Sequence, residues 1–370
     1  MIPFSRQTLP RLTLRLPPRA FVPRIEQIER FEQNPPAGHT RDTMRTGIDM
    51  PMRTSKHTRK MPKSLEPVLA VAACLLFTLG SAVAQQSRPA ITGISHMCVY
   101  ASDAAAADHF YAHLLGATKG ADPQNPQGTR YYLSSTQFVE VVPLPADHTL
   151  SRMACVAYNT TNAEGLRRYL LAHGAADIAE LRTGSDGSRW FDTKDPEGNL
   201  VQFLQAGRPM HLPANANPIG SRIIHVGYLV HSQPAEDHFY RDLLGFRPYW
   251  YGAMQPDHLD WVSQQTPNGH DWLEYMMVGD GSDTPVSRVD ARTLGVLNHF
   301  SIGVSNMEKA VTTLIAEDRE SPRHDGPQMG KDGKWQANLY DPDGTRVELM
   351  EFQPVTKPCC SAFTADSPVN

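Results

Sequence analysis

Arg222-Ile-Ile-His-Val-Gly-Tyr-Leu229, then Asp237-His-Phe-Tyr240, then Leu243-Leu-Gly245 decide how this chain folds, because all three stretches have already occurred once. They match Gly93-Ile-Ser-His-Met-Cys-Val-Tyr100, Asp108-His-Phe-Tyr111 and Leu114-Leu-Gly116. Each pair lies 129 residues apart, from His96 to His225, Asp108 to Asp237 and Leu114 to Leu243. A constant offset across three motifs marks a duplication. Asp195-Pro-Glu-Gly198 recurs later as Asp341-Pro-Asp-Gly344. The body therefore divides into 91–204 and 220–353. The linker is 205–219, which carries Pro209, Pro213 and Pro218.

Each half divides again. In the second, Ile223 to Val230 is a short apolar strand. Ser232 is placed to cap a helix with Pro234 in its first turn. Phe239 with Leu243, and Tyr240 with Leu244, give that helix a buried face, and Gly245 suits its left-handed end. Strands are expected at Tyr249–Tyr251, His258–Ser263 and Trp272–Val278, with Asn268-Gly269 as a hairpin signal. The pattern restarts with a strand at Leu297–Val304. A helix follows at 306–316, apolar at Met307, Val311, Leu314 and Ile315, and then strands at Trp335–Tyr340 and Arg346–Phe352. Strand, helix and three strands thus occur four times: an α+β fold of four βαβββ modules in two paired, cup-shaped mixed-sheet domains.

Four ligand-type residues take equivalent places in the second half. His225 and His299 are on first strands, Glu274 and Glu348 on last strands, and each His-to-Glu spacing is 49 residues. Two modules related by a pseudo-two-fold axis would bring all four to one point. Two neutral imidazoles and two carboxylates suit a divalent cation such as Zn, Ni, Co, Mn or Fe, with positions left for substrate. The first half has diverged. His96 matches His225, Glu140 matches Glu274, Cys155 falls opposite His299 and Gln202 opposite Glu348. This degenerate second set could coordinate a metal, but it lacks the fourth-place carboxylate that acid–base chemistry needs. Cys98 shares a strand face with His96 and can approach Cys155 across the axis, so a Cys98–Cys155 disulfide is expected.

The flanks differ from the body. Residues 1–60 carry twelve Lys or Arg against five Asp or Glu, and are Pro-rich without apolar periodicity. They read as a disordered leader or a mis-assigned start. Met61, Lys63, the uncharged run Pro67 to Ala84 and Ala82-Val83-Ala84 have the form of a signal peptide over 61–84. A secreted or periplasmic protein, with no stable membrane association after cleavage, is the expectation; an uncleaved segment would anchor it. Residues 85–370 carry 22 basic and 33 acidic groups, which does not favour nucleic acid as a partner. The composition, 40% hydrophobic and 20% charged, excludes collagen, a coiled coil and a wholly disordered chain. The Pro/Ser-rich tail 354–370 is assigned no structure.

The repeated unit, the His225/Glu274/His299/Glu348 set and the Asp341-Pro-Asp-Gly-x-x-Val-Glu-Leu ending resemble the vicinal oxygen chelate superfamily of glyoxalases, bleomycin-resistance proteins and extradiol dioxygenases. The glyoxalase pattern implies four ligands to one metal and a lyase or isomerase acting on a small oxygen-rich substrate through a metal-stabilised enediolate. It makes Glu348 the proton-shuttling base with Glu274 as its symmetric partner. The dioxygenase pattern implies Fe(II) on His225, His299 and Glu348. That family places a His and a Tyr ahead of the Asp-Pro turn. Here Tyr340 abuts Asp341, and the nearest upstream histidine is His324. The bleomycin-resistance pattern implies a non-catalytic binder whose cup Trp250, Tyr251, Trp261 and Trp272 would line. Four modules in one chain fit a monomer or a homodimer.

Overall fold

The computed structural model describes residues 87–146 and 151–370. The basic leader and the signal-like segment lie outside the described residues, among which no helix is long and apolar enough to cross a membrane. The first half folds as β1 (Ile91–Ala101), α1 (Ala104–Asp108), β2 (Thr118–Ala121), β3 (Thr129–Tyr132), β4 (Phe138–Pro143), β5 (Met153–Thr160), α2 (Ala163–Ala172), β6 (Arg182–Thr183), β7 (Arg189–Lys194) and β8 (Leu200–Gln205). The second folds as β9 (Arg222–Val230), α3 (Gln233–Asp237), β10 (Arg247–Gly252), β11 (Trp261–Gln265), β12 (Trp272–Met277), α4 (Ala291–Leu297), β13 (His299–Val304), α5 (Met307–Ala316), β14 (His324–Met329), β15 (Trp335–Tyr340) and β16 (Arg346–Glu351).

Each half is one eight-stranded sheet, in the orders β2-β3-β4-β1-β5-β8-β7-β6 and β10-β11-β12-β9-β13-β16-β15-β14. The two modules of each half meet along an antiparallel seam, β1 on β5 and β9 on β13. Each first strand pairs in parallel with the last strand of its own module. The fold class and the four-module organisation are thus as the repeat implies. Pro327 lies in β14, an edge strand, where its missing N–H costs no ladder bond.

Local details depart from expectation where tertiary contacts intervene. After α3 the chain widens into a π-helical turn over His238–Leu243, and the equivalent turn follows α1 over His109–Leu114. Its bonds skip five residues, Leu244 N–H to Phe239 O at 3.1 Å and Leu115 N–H to Phe110 O at 2.9 Å. The wider turn lets two adjacent aromatics, Phe239 and Tyr240, both be buried. The Ser232 side chain makes no capping bond; Glu197 of the first half accepts from His231 N–H at 2.7 Å and Ser232 N–H at 3.1 Å instead. The strand expected from His258 begins only at Trp261, and His258 faces Asp283 at 2.6 Å in the preceding loop. In α5, Met307, Ala310 and Leu314 are buried while Ile315 is exposed, because it lies one step round from the buried face.

The tail is also ordered. Residues 354–370 form no helix or strand, yet they pack along β10. Thr364 N–H donates to Tyr249 O at 3.0 Å, Trp250 Nε1–H donates to Cys359 O at 3.2 Å, and Phe363 stacks 4.8 Å from Tyr249. Aromatic side chains left open by the cup give this polar segment a surface to bury.

The duplicated motifs lock the two cups together. Tyr111 O–H donates to Asp341 of the second Asp-Pro turn at 2.9 Å, and Tyr240 O–H donates to Asp195 of the first at 3.3 Å. As Glu197 receives the start of α3, so Asp343 accepts from Ser102 N–H, just before α1, at 2.9 Å. One continuous apolar core, from Ile94 and Met97 to Val226 and Tyr228, joins the sheets behind these clasps.

Each Tyr→Phe change, at Tyr111 or Tyr240, deletes one buried bond to a carboxyl. It should lower unfolding stability by about 1 kcal/mol, read as a lower denaturant midpoint at unchanged slope. A second expectation concerns pH. Burial, reinforced by Asp195, pushes the Glu236 carboxyl up to about 9, whereas in the unfolded chain a glutamate ionises near about 4.3. Between these values the folded state binds more protons, so stability falls as pH rises. Denaturation at pH 7 and pH 9 should show that loss, and Glu236→Gln should reduce it while keeping the acceptor for Glu197 N–H.

Candidate metal centre

The seam between β9 and β13 builds the site. Its register sets His299 opposite Gly227 and Ser301 opposite His225. Side chains alternate across a strand, so β9, β12, β13 and β16 can each send one ligand into the same concave face. Glu274 comes from β12, beside Gly227, and Glu348 from β16, beside Ser301.

The four residues converge. His225 Nε2 lies 3.0 Å from His299 Nε2 and 3.0 Å from Glu348 Oε2. His299 Nε2 lies 3.8 Å from Glu348 Oε2 and 3.8 Å from Glu274 Oε2. All four side chains are buried or nearly so. The tight group is His225, His299 and Glu348; Glu274 stands at its edge and accepts a bond from Ser263 O–H at 3.3 Å. Atoms about 2.1 Å from a common ion lie roughly 3.0–3.4 Å apart at right or tetrahedral angles, so the cluster is of the size a divalent cation needs.

The imidazoles are prepared for this. His299 Nδ1 lies 2.8 Å from Leu297 O, so it carries the proton and Nε2 presents its lone pair to the centre. The His225 ring stacks on Trp272 at 4.6 Å. Burial pushes His225 down, despite Glu348, and burial with the Arg346 charge pushes His299 well down. Both rings are therefore neutral and ligand-competent at neutral pH. The carboxyls diverge. Burial and the Glu348 charge push Glu274 up to about 8. Burial also opposes ionisation of Glu348, but its bond to His225 and the charge of Arg346 outweigh that and hold it below the usual range.

Three supports were not legible beforehand. A Cβ on Gly227 would sit 2.2 Å from the His299 ring, so only glycine admits that imidazole. Lys334 is wholly buried, with Nζ 4.5 Å from the Trp272 ring centre and 5.2 Å from that of Phe363 in the tail. Burial pushes its ammonium down to about 8. In the sequence it sits in Lys331-Asp-Gly-Lys334, which carries no apolar pattern to mark a buried position. A cavity of about 340 Å³ opens over the site, lined by Trp250, Trp261, Glu274, Arg346, Glu348 and Met350. Trp250 and Trp261 thus line the cup as expected, Trp272 backs His225, and Tyr251 points outward, half exposed.

The first cup repeats the register with different chemistry. Cys98 faces Cys155 across β1 and β5, as Gly227 faces His299, and the two cysteines form a disulfide. The expected cross-axis bond is present, so Cys155 is not free to be a ligand in this state. His96 stacks on Phe138 at 4.4 Å, and its Nε2 lies 3.9 Å from Glu140 Oε2. Gln202 donates to Asp192 at 3.2 Å.

A family model described as the Glyoxalase/Bleomycin resistance protein/Dioxygenase superfamily matches residues 93–203 and 222–349. The chain belongs to this superfamily. Similar solved structures include homoprotocatechuate 2,3-dioxygenase from Arthrobacter globiformis, 17% identical, with 71% of this chain and 80% of that one covered and a TM-score of 0.54. The 2,3-dioxygenase LapB from Pseudomonas sp. KL28 is 14% identical, covering 74% and 99%, with a TM-score of 0.53. Homoprotocatechuate 2,3-dioxygenase from Brevibacterium fuscum, in an anaerobic complex with 3,4-dihydroxyphenylacetate, is 15% identical, covering 76% and 84%, with a TM-score of 0.54. At these identities the likeness is one of fold.

Replacing Gly227 by Ala should displace the His299 ring and lower metal content from about one ion per chain towards zero. His225→Ala and Glu348→Ala should do the same. Elemental analysis of folded, purified protein checks all three.

Proposed function

We propose that the second cup is the active site of a divalent-metal-dependent lyase or isomerase acting on a small oxygen-rich substrate. The observation that carries this reading is the separation of roles between the two glutamates. Glu348 belongs to the tight ligand cluster, whereas Glu274 stands beside it with a carboxyl oxygen turned to the same centre. The resemblance alone named Glu348 as the base; the geometry favours Glu274.

His225, His299 and Glu348 would hold the cation, with Glu274 as a fourth, adjustable ligand. When bound, the cation would stabilise negative charge developing on substrate oxygens. In its ionised form, reached as pH rises towards about 8, Glu274 would take a proton at Oε2 from a substrate carbon and return it to a neighbouring one, while Ser263 steadies Oε1. Trp250, Trp261 and Met350 wall the cavity, and Arg346 adds positive charge to its lining. The reaction is assigned outside the cytoplasm. The signal-like segment 61–84 supports that assignment, as does the Cys98–Cys155 disulfide, a bond typical of oxidising compartments.

The tight cluster of two His and one carboxylate supports a second reading, an Fe(II) extradiol ring-cleaving dioxygenase, since that set suits non-haem iron oxygenases. The fold neighbours carry such names. Against it, His324 is on the edge strand β14, half exposed and bonded to Ser321 O, away from the centre.

Metal-loaded protein should catalyse deuterium exchange at the carbon beside the carbonyl of small α-hydroxycarbonyl compounds, followed by NMR in D2O. Glu274→Gln should keep its metal and lose this activity by about 10²–10⁴-fold. Oxygen uptake with a catechol under Fe(II), without such exchange, would replace this reading with the dioxygenase. Full ligand binding by metal-stripped protein would instead favour a sequestering, bleomycin-resistance-type role.

A further inference from the structure

The first cup holds a group of donors that the proposed chemistry does not use. His96 is fully buried, and its Nε2 has no hydrogen-bond partner. That atom points to the place where, in the second cup, His225 meets its companions. Around it stand the sulfurs of Cys98 and Cys155, all three donor atoms lying within 4.8 Å of one another. Glu140 Oε2 is 3.3 Å from Cys98 Sγ and 3.9 Å from His96 Nε2. Gln202, across the same space, keeps its buried Oε1 without a partner. An unsatisfied buried imidazole nitrogen is costly in a finished core. A disulfide alone does not explain why one is retained there.

We propose that the Cys98–Cys155 bond is a redox gate over a second metal site, and that its reduction opens a His96/Cys98/Cys155/Glu140 site for a thiophilic divalent cation such as Zn²⁺. One nitrogen, two sulfurs and one oxygen make four ligands, the number and kind that zinc takes in closed sites. The donor set differs in kind from that of the second cup, whose ligand group is two imidazoles and carboxylates without a thiol. The cavity of about 400 Å³ that both cysteines line gives the sulfurs room to part.

The step balances. A thiol reductant delivers two electrons and two protons to the S–S bond and leaves as its own disulfide, giving two cysteine thiols. The cation then displaces both thiol protons into solvent and binds two thiolates. Oxidation reverses this: the thiolates return two electrons to the oxidised disulfide form of the same carrier and the ion is expelled. The cup would therefore hold a metal in a reducing setting and a covalent bond in an oxidising one.

The test uses the full chain with Cys74→Ser, Cys359→Ser and Cys360→Ser, so that only the gate cysteines remain. Chelator-stripped protein is divided and half is reduced with a water-soluble phosphine, which takes its oxygen from water. Both halves are titrated with Zn²⁺ and, separately, with Co²⁺. Reduced protein should take up about one more Zn²⁺ per chain than oxidised protein. It alone should develop the near-ultraviolet thiolate-to-cobalt charge-transfer band, which the thiol-free second cup cannot produce. Cys155→Ser and His96→Ala should each weaken or remove the band. Two titratable thiols with no band and no extra zinc would overturn the proposal. Unfolding on reduction would do so too, by making the disulfide a structural staple.

Discussion

Gly227 and His299 face each other across the antiparallel seam of the second cup, and the imidazole occupies the volume that any side chain at 227 would fill. This close approach brings His299 Nε2 within reach of His225 and Glu348. It also leaves Nδ1 free to be fixed by the Leu297 carbonyl. The contact depends on register, since a slip by one residue would turn both histidines to the other face. The parallel pairs β12·β9 and β13·β16 carry the same register outwards and place the two glutamates. In the first cup the same facing positions hold Cys98 and Cys155. One backbone position thus accepts either an imidazole over a glycine or a disulfide.

The cups depend on each other as much as on their own seams. Each Asp-Pro turn receives a tyrosine from the π-helical turn of the other half, and its acidic third residue receives backbone N–H groups at the start of the other half's helix. These bonds are reciprocal, as a duplicated chain folded about a pseudo-two-fold axis requires. They consume buried carboxyls, and burial raises Asp195, Glu236 and Asp341 above the ordinary carboxyl range. These three carboxyls therefore favour the folded state most when protonated, while in the neighbouring second cup Glu348 is held below the usual carboxyl range.

The electrostatics of the centre come from unequal surroundings of similar residues. Glu274 and Glu348 occupy equivalent strands, yet only Glu348 has an imidazole at 3.0 Å. Lys334 adds a buried positive charge behind Trp272, held by rings from β10, β12 and the tail. The tail thus helps complete the wall of the cup from a part of the chain with no regular structure of its own.

The sequence by itself determined the duplication, the four modules and the residues that would meet. Equal His-to-Glu spacings and period-2 strands are local properties that survive folding, and the offsets placing Cys155 with His299 and Gln202 with Glu348 agree with the strand registers. Tertiary structure alone decided which glutamate joins the tight cluster, that Glu197 receives the N–H groups just ahead of α3 while Ser232 makes no capping bond, that Ile315 stays outside, that Lys334 is buried and that the tail packs on β10. Each of these depends on what another segment places nearby. Desolvation, packing volume and long-range hydrogen bonds are properties of neighbours, and a one-dimensional pattern does not carry them.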